Sequence, residues 1–262
     1  MVYEEFKVPE NLQDYLLCYW KFTGPRSGPD GPIRHYIPPD ACPSLIFFTL
    51  PQFDVKGTTL FGPTKYIAET QVFRGSISMG IRFRPGVISG LFGQSGQELR
   101  DQNIQPAPIL NGLDYEQGLD LVTDAAGWQD YLNQTLPLVI ARSQPHIPQV
   151  LQQAMDTILS SRGNIRISDL LETIPLSERQ LQKTFKQEVG LTLKEFATVM
   201  RLRASIIQME LEGKGYQDMV FDSGYYDQAH FIRDFSKLSR ISLPDFKRYI
   251  KNIRHVGVSF RL

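Results

Sequence analysis

Two stretches near the C-terminus decide the fold of this chain: SERQLQKTFKQEVGLTLKEF from Ser177 to Phe196, and DQAHFIRDFSKLSRISLPDF from Asp227 to Phe246. Apolar and basic positions recur in the two copies at a constant offset of 50 residues. The aligned pairs are Leu181 with Phe231, Lys183 with Arg233, Phe185 with Phe235, Thr192 with Ser242 and Phe196 with Phe246. A helical unit repeated with a basic residue at a fixed position indicates two similar surfaces for one long, regular partner, such as duplex DNA.

Each copy has the pattern of a helix-turn-helix. Ser177 and Asp227 are predicted N-caps, and Gln180 completes a capping box with Ser177. The apolar pairs four residues apart face the core, so polar side chains point outward, where Arg, Lys and Gln can hydrogen-bond base edges. The predicted base-contacting residues are Arg179, Gln182 and Lys183 in the first copy and Gln228, His230 and Arg233 in the second. The predicted phosphate-contacting residues are Ser177, Lys186, Thr192, Lys194, Lys237 and Ser242.

Residues 148–255 resemble the DNA-binding domain of AraC-type transcriptional regulators. The matching residues are Leu170, Ser177, Leu181, Lys183, Phe185, Lys186 and Gly190, then Gly224, Tyr225, Asp227, His230, Phe231, Arg233 and Phe235. The resemblance implies about seven helices that form two helix-turn-helix units joined by a long helix. The chain departs from the pattern at Pro175 and Arg240, where glycine is usual, and at Leu193 and Leu243, where proline is common.

The first 110 residues are predicted to form a β-rich, barrel-like domain. In Ser76–Gly86 apolar and polar residues alternate, which is typical of a half-buried strand. Arg82 and Arg84 fall on its polar face, where solvation is expected and anion binding is the alternative. The aromatic residues are expected to pack in the core rather than line a pocket: Tyr19, Trp20, Tyr36, Phe47 and Phe48. The order of Trp20 and Phe22, Pro39-Asp40, and Phe83–Gly86 is similar to an uncharacterised β-rich domain that precedes the same helix-turn-helix domain in many bacterial regulators.

Three segments are therefore predicted: residues 1–110 as a sensor or dimerisation domain, 111–147 as a helical connector and linker, and 148–255 as the DNA-binding domain. The fold class is α+β with two domains. The interruptions Gly118, Gly127 and Pro137 weaken a coiled-coil interpretation of the connector, and SQPHIP at 143–148 is the linker.

Charge and cysteine content restrict the function classes. The net charge is zero, but residues 1–146 carry 11 basic and 15 acidic residues, whereas residues 147–262 carry 17 and 13. Cys18 and Cys42, the two cysteines, are expected to be reduced, partly buried thiols. No metal site, cofactor or catalytic residue is predicted, and nothing indicates a signal peptide or a membrane span, so a cytoplasmic location is expected.

These observations predict a transcriptional regulator that is not an enzyme. Its expected partner is double-stranded promoter DNA. RNA polymerase, a small-molecule effector and a second copy of the chain are the further candidates. Two alternatives stay open: an N-terminal domain that serves only in protein interaction, and an enzyme fused to a DNA-binding tail, which the shortage of cysteines for a zinc cluster disfavours.

Overall fold

The computed structural model describes residues 1–28, 31–210 and 224–257. A β-rich N-terminal region precedes a helical C-terminal region, as the sequence predicts. Within these described ranges, no helix combines the length and hydrophobicity needed to cross a bilayer.

The described strands of the chain form two sheets, of seven and two strands. They are β1 Val2–Phe6, β2 Leu16–Thr23, β3 Ile33–Ile37, β4 Ser44–Leu50, β5 Val55–Phe61, β6 Ala68–Val72, β7 Ile77–Phe83, β8 Asn103–Ile104 and β9 Arg254–Val256. The larger sheet has the order β8-β5-β4-β7-β2-β1-β9, and the smaller is the antiparallel pair β3-β6, whose strands are separated in the chain by β4 and β5. All pairings are antiparallel except that of β1 with β9. Through β9, the end of the described chain returns to the N-terminal sheet.

The predicted alternation in β7 is confirmed. Ile77, Met79, Ile81 and Phe83 belong to the main apolar core or pack against it. Ile81 pairs with Tyr19 on one side and with Leu45 on the other, which puts three core residues in one row. Because side chains alternate along a strand, residues at the intervening positions face the opposite side of the sheet, towards the β3-β6 pair.

Four helices follow the main strands: α1 Ile88–Phe92, α2 Gly96–Leu99, α3 Tyr115–Asp120 and α4 Ala125–Ser143. Trp128 on α4 is fully buried and meets the rings of Tyr19 and Phe47 edge-on at 5.8 and 5.7 Å. Part of the predicted connector thus shares the core of the β-rich region. Helix α4 also continues through Gly127 and Pro137, where the sequence predicts interruptions, because its buried face holds it on the sheet.

The C-terminal helices are α5 Gln149–Ser160, α6 Ile167–Glu172, α7 Glu178–Val189, α8 Leu193–Glu210, α9 Gln228–Leu238 and α10 Leu243–Ile250. Their predicted boundaries are confirmed at Ser177, which caps α7 in a capping box, and at Gly190, whose φ of 83° ends it. Asp227 caps α9 through its bond from the His230 N–H at 2.7 Å. The sequence also predicts that the long helix ends at Gly213 and Gly215 and that a short helix spans 218–223; both segments lie outside the described residues.

Helix α8 is shared by two apolar cores. Phe196 and Met200, near its start, pack with Leu181 and Phe185 of α7. The second core lies one to two turns further along the helix, where Leu202 and Ile206 pack with α9 and α10. One helix thus joins two packed units.

Candidate nucleic-acid interface

Helix α7 turns its apolar residues inward and presents Arg179 and Lys183 outward. Leu181 and Phe185 have no exposed surface, and Phe185 meets Phe196 of α8 at 5.5 Å between ring centroids. The predicted base-contacting residues Arg179, Gln182 and Lys183 are all exposed. Because they occupy the face opposite the buried pair, α7 is anchored by its core and presents donors to the solvent.

A shallow groove brings together most of the residues that the sequence predicts for the first unit. It is lined by Glu178, Arg179, Gln182, Lys183, Lys186 and Thr192. Within it, the Gln182 amide donates a hydrogen bond to Glu178 at 2.8 Å. This bond uses one of the two amide N–H donors of Gln182.

Helix α9 repeats the arrangement with different side chains. Phe231 and Phe235 are fully buried, whereas Gln228 and Arg233 are exposed. His230 is half-buried and lies edge-on against Tyr225 at 5.1 Å. Arg233 donates to the backbone carbonyl of Ala229 at 3.3 Å along its own helix.

Asp234, which is not among the predicted site residues, lies close to three basic side chains around α9. Its carboxylate lies 3.3 Å from Arg201 of α8 and 3.4 Å from Lys237, a predicted phosphate contact. His230 Nε2 lies 3.7 Å away. Because Asp234 is buried, these contacts tie α9 to α8 and orient the flank of the second unit. The aspartate's position on the inner face of α9, one residue before Phe235, is the signal that could have identified it.

The predicted phosphate contacts at helix N-termini lie within their own capping networks. Ser242 caps α10 by accepting the Asp245 N–H at 3.3 Å, and its hydroxyl donates to the Asp245 carboxylate at 2.6 Å. Thr192 binds Glu195 in the same way, at 3.2 and 3.1 Å. Ser177 has the neutral partner Gln180 instead, at 2.8 Å for the hydroxyl. The N-terminus of α7 is therefore free of a carboxylate cap, unlike those of α8 and α10. Lys194 is exposed, and Lys186 is half-buried.

Residues 170–249 match a family described as a helix-turn-helix domain, and residues 4–105 match a domain of unknown function. The C-terminal domain is an AraC-type helix-turn-helix domain. Curated relatives include the transcriptional regulatory protein HptR of Staphylococcus aureus, 26% identical over 102 residues. That match covers 38% of this chain and 40% of HptR, so the chain spans two fifths of the relative's length. Together these findings support DNA-binding transcription regulation as the function class.

Solved structures of ToxT from Vibrio cholerae have the same two-domain fold. An apo form of a ToxT variant superposes with a TM-score of 0.51 at 11% identity, covering 88% of this chain and 97% of that one. A second crystal form of ToxT matches with the same score and identity and covers 98% of its own chain. At this identity the likeness is one of fold, and it spans both the β-rich and the AraC-type domain.

The first unit of the AraC-type domain is docked on the N-terminal domain by a charged cluster. Glu195 accepts hydrogen bonds from Lys65 at 2.8 Å and from both terminal nitrogens of Arg100 at 2.8 and 3.0 Å. Burial raises the pKa of Glu195, but the bonds from Arg100, Lys65 and the Thr192 backbone outweigh it, and the pKa falls to about 2. The carboxylate that completes the cap of α8 is therefore also the anchor between domains.

Close backbone packing lies beside this cluster. Gly96 at the start of α2 lies against the end of α7, where a Cβ on Gly96 would stand 2.8 Å from the Gly190 nitrogen. Ser89 of α1 donates to Glu188 of α7 at 2.7 Å. The C-terminal end of α7 is thus held from two helices of the N-terminal domain.

The second unit is held by the same domain. The Ile67 N–H donates to the Leu238 carbonyl at the end of α9 at 2.7 Å, and the Ile67 side chain is buried in the core of that unit. Tyr249 of α10 is hydrogen-bonded to His35 of β3. Because Lys65 and Ile67 belong to one loop between β5 and β6, a single loop contacts both helix-turn-helix units.

Arg82 is ion-paired and largely shielded from solvent rather than solvated, which corrects the sequence-based expectation. It is paired with Glu5 at 2.9 Å and with Asp40 at 2.9 Å, and it donates to the Tyr3 hydroxyl at 2.9 Å. Asp40 also lies 3.5 Å from Arg203 of α8, so the cluster reaches the AraC-type domain. The strand face that carries Arg82 is covered by the β3-β6 pair and by α8. The local sequence pattern does not reveal this cover.

The aromatic residues and the cysteines have divided roles. Tyr19 and Phe47 pack in the core as expected, but Trp20 and Tyr36 line cavities. Cys18 and Cys42 are free and buried, which confirms the prediction. Burial raises the pKa of Cys18 to about 11, so its thiol stays protonated near neutral pH.

Proposed function

We propose that this protein is a sequence-specific DNA-binding regulator of transcription in which α7 and α9 enter successive major grooves of one duplex. The observation that supports this most directly is the equivalence of the two helices. Each is capped at its N-terminus, anchored by a buried apolar pair and exposed on the opposite face, with Lys183 and Arg233 at matching positions. Recognition helices of this kind lie about 34 Å apart when they read one face of DNA.

The two proposed recognition helices, α7 and α9, differ in their outward-facing side chains. The first offers Arg179, Gln182 and Lys183, and the second offers Gln228, His230 and Arg233. Because bidentate pairing depends on the side chain, we expect the two halves of the target to differ in sequence. Each monomer would then bind an asymmetric site of roughly 15–20 base pairs.

We further propose that the N-terminal domain controls DNA binding by fixing the positions of both recognition helices. Glu195 links the first unit to Lys65 and Arg100, and Ile67 links the second unit to the same loop. A fixed relation between two recognition helices lowers the entropy that DNA binding must remove. RNA polymerase and a second copy of the chain stay candidate partners.

In vitro selection with the full chain and a random DNA library tests the function. The expected result is enrichment of one asymmetric motif, with an affinity that falls steeply as salt rises. The control is the double variant Arg179→Ala, Arg233→Ala, which should keep its melting temperature and lose enrichment. Binding that is indifferent to sequence or to salt would contradict the proposal.

A further inference from the structure

Two adjoining cavities lie on the face of the N-terminal sheet that carries Arg82; the larger reaches the AraC-type domain, and the smaller is lined by residues of the N-terminal domain. Their volumes are about 120 and about 90 Å³, and Phe22, His35 and Ile37 line both. Ile206, Ile207 and Ile253 of the AraC-type domain close the larger one. A cavity of about 150 Å³ with apolar walls holds a benzene ring, so the joined space is of the right size for one or two rings. Its walls are mostly apolar and come from both domains.

The polar end of the larger cavity has no charge left to neutralise. Arg82 faces the carboxylates of Glu5 and Asp40, and Asp40 also faces Arg203. Two cations are thus matched by two carboxylates. Binding a charged ligand here would cost desolvation and would have to displace an existing ion pair.

The other polar groups at the cavities are neutral hydrogen-bonding groups. Burial lowers the pKa of His35 to about 4, and burial also lowers the pKa of His255. His255 lines the larger cavity and Trp20 the smaller, and the atoms His255 Nε2 and Trp20 Nε1 are buried without a hydrogen-bond partner among the described residues. Unpaired buried polar atoms are costly, so a ligand that pairs with either of them gains specific affinity.

We propose that the joined cavities bind a small, uncharged, mostly apolar molecule of one or two rings that carries one hydroxyl, carbonyl or N–H group. Its rings lie against the isoleucines, and its polar atom pairs with His255 or Trp20. The ligand touches α8, which joins the two helix-turn-helix units, and it therefore stabilises the docked arrangement of the domains. Its effect on DNA binding rests on the proposed function; its binding does not.

Calorimetry and thermal unfolding of the full chain, without DNA, test the site. The probes are indole and 4-methylphenol, with benzoate as an anion of similar size. Indole or 4-methylphenol should bind saturably and raise the melting temperature, because a ligand of the folded state stabilises it. Benzoate should bind at least tenfold more weakly.

Cavity-filling variants locate the binding. Ile37→Trp fills the shared wall and should weaken binding of the neutral probe at least tenfold. The matched control Ile33→Trp lies on the same strand but lines neither cavity and should bind as the unmodified chain does. Ile207→Phe fills the space from α8 and serves if Ile37→Trp does not fold.

Three results would overturn the proposal: no saturable binding of either neutral probe, a preference for benzoate, or binding that survives both filling variants. Because these measurements contain no DNA, they fail or succeed independently of DNA recognition. Adding indole to the complex with the selected DNA then measures how far a ligand in the cavities changes DNA affinity.

Discussion

Gly96 and Gly190 meet through their backbones where the N-terminal domain supports the first recognition helix. A Cβ on either residue would overlap main-chain atoms of the other segment, and Gly190 adopts a φ of 83° that favours glycine. The contact places α2 directly beneath the end of α7. The two segments can approach this closely only because neither position carries a side chain.

Gly96→Ala should destabilise the chain by about 1–3 kcal/mol, because the new methyl group can be accommodated only by moving main-chain atoms. Thermal unfolding measures this as a melting temperature lower by several degrees. Affinity for the selected DNA site should also fall, because α7 and α9 would no longer be held in a fixed relative position. Gly31→Ala is the control, because a Cβ there meets nothing within 4 Å. An equal effect of the two substitutions would count against the backbone contact.

Glu195→Gln should cost about 1–2 kcal/mol at neutral pH, a range that allows for partial solvent screening of Lys65 and Arg100. The pKa of Glu195 is about 2 in the folded chain and lies near 4.5 when unperturbed, so its contribution is present above pH 4.5. It is lost as the pH falls towards 2. Urea unfolding from pH 7 to 3 should therefore show the variant and the unmodified chain converging. The exposed Glu172→Gln is the control, and a gap that stays constant with pH would refute the assignment.

His35→Asn should reduce the loss of stability between pH 6.5 and 4. Burial holds the pKa of His35 at about 4, below its usual 6.5, so the unfolded chain takes up the proton first as the pH falls. The contribution is complete above pH 6.5 and declines towards pH 4, by on the order of 2–3 kcal/mol. His255, whose pKa burial also lowers, keeps part of the slope. His146→Asn, at an exposed position, should leave the slope unchanged in the same denaturation series; a matching decrease there would show that His35 is not responsible.

Arg233→Ala should relax sequence preference in one half of the DNA site and leave the other half intact. Loss of a bidentate base contact costs about 1–3 kcal/mol. Arg179→Ala should do the same in the opposite half. Competition binding with DNA altered in either half distinguishes the two, and Arg26→Ala, on an exposed loop, is the control. Uniform weakening across all sequences would instead make these residues phosphate contacts.

Local patterns in the sequence are enough to predict the helix-turn-helix units. The capping box at Ser177, the cap at Asp227 and the apolar pairs four residues apart depend on neighbours within one or two helical turns. The same holds for the alternation in β7, where period two decides which residues face the core. The predicted contacts of exposed residues with DNA stay predictions.

The burial of Arg82 and the anchoring of Glu195 were beyond such patterns. Arg82 has the spacing of a solvated residue on a strand, but Glu5, Asp40 and Arg203 reach it from distant segments. Glu195 has the local signature of a capping residue at the start of α8, whereas Lys65 and Arg100 come from another domain.

The sequence by itself determined where the helices of the two helix-turn-helix units begin and which faces they bury. Periodicity and capping are short-range, so a single stretch contains the information. Only the tertiary structure decided that one loop contacts both units and that a cavity lies between the domains, with a second beside it. Those features arise from long-range packing of surfaces that no local spacing of residues brings together.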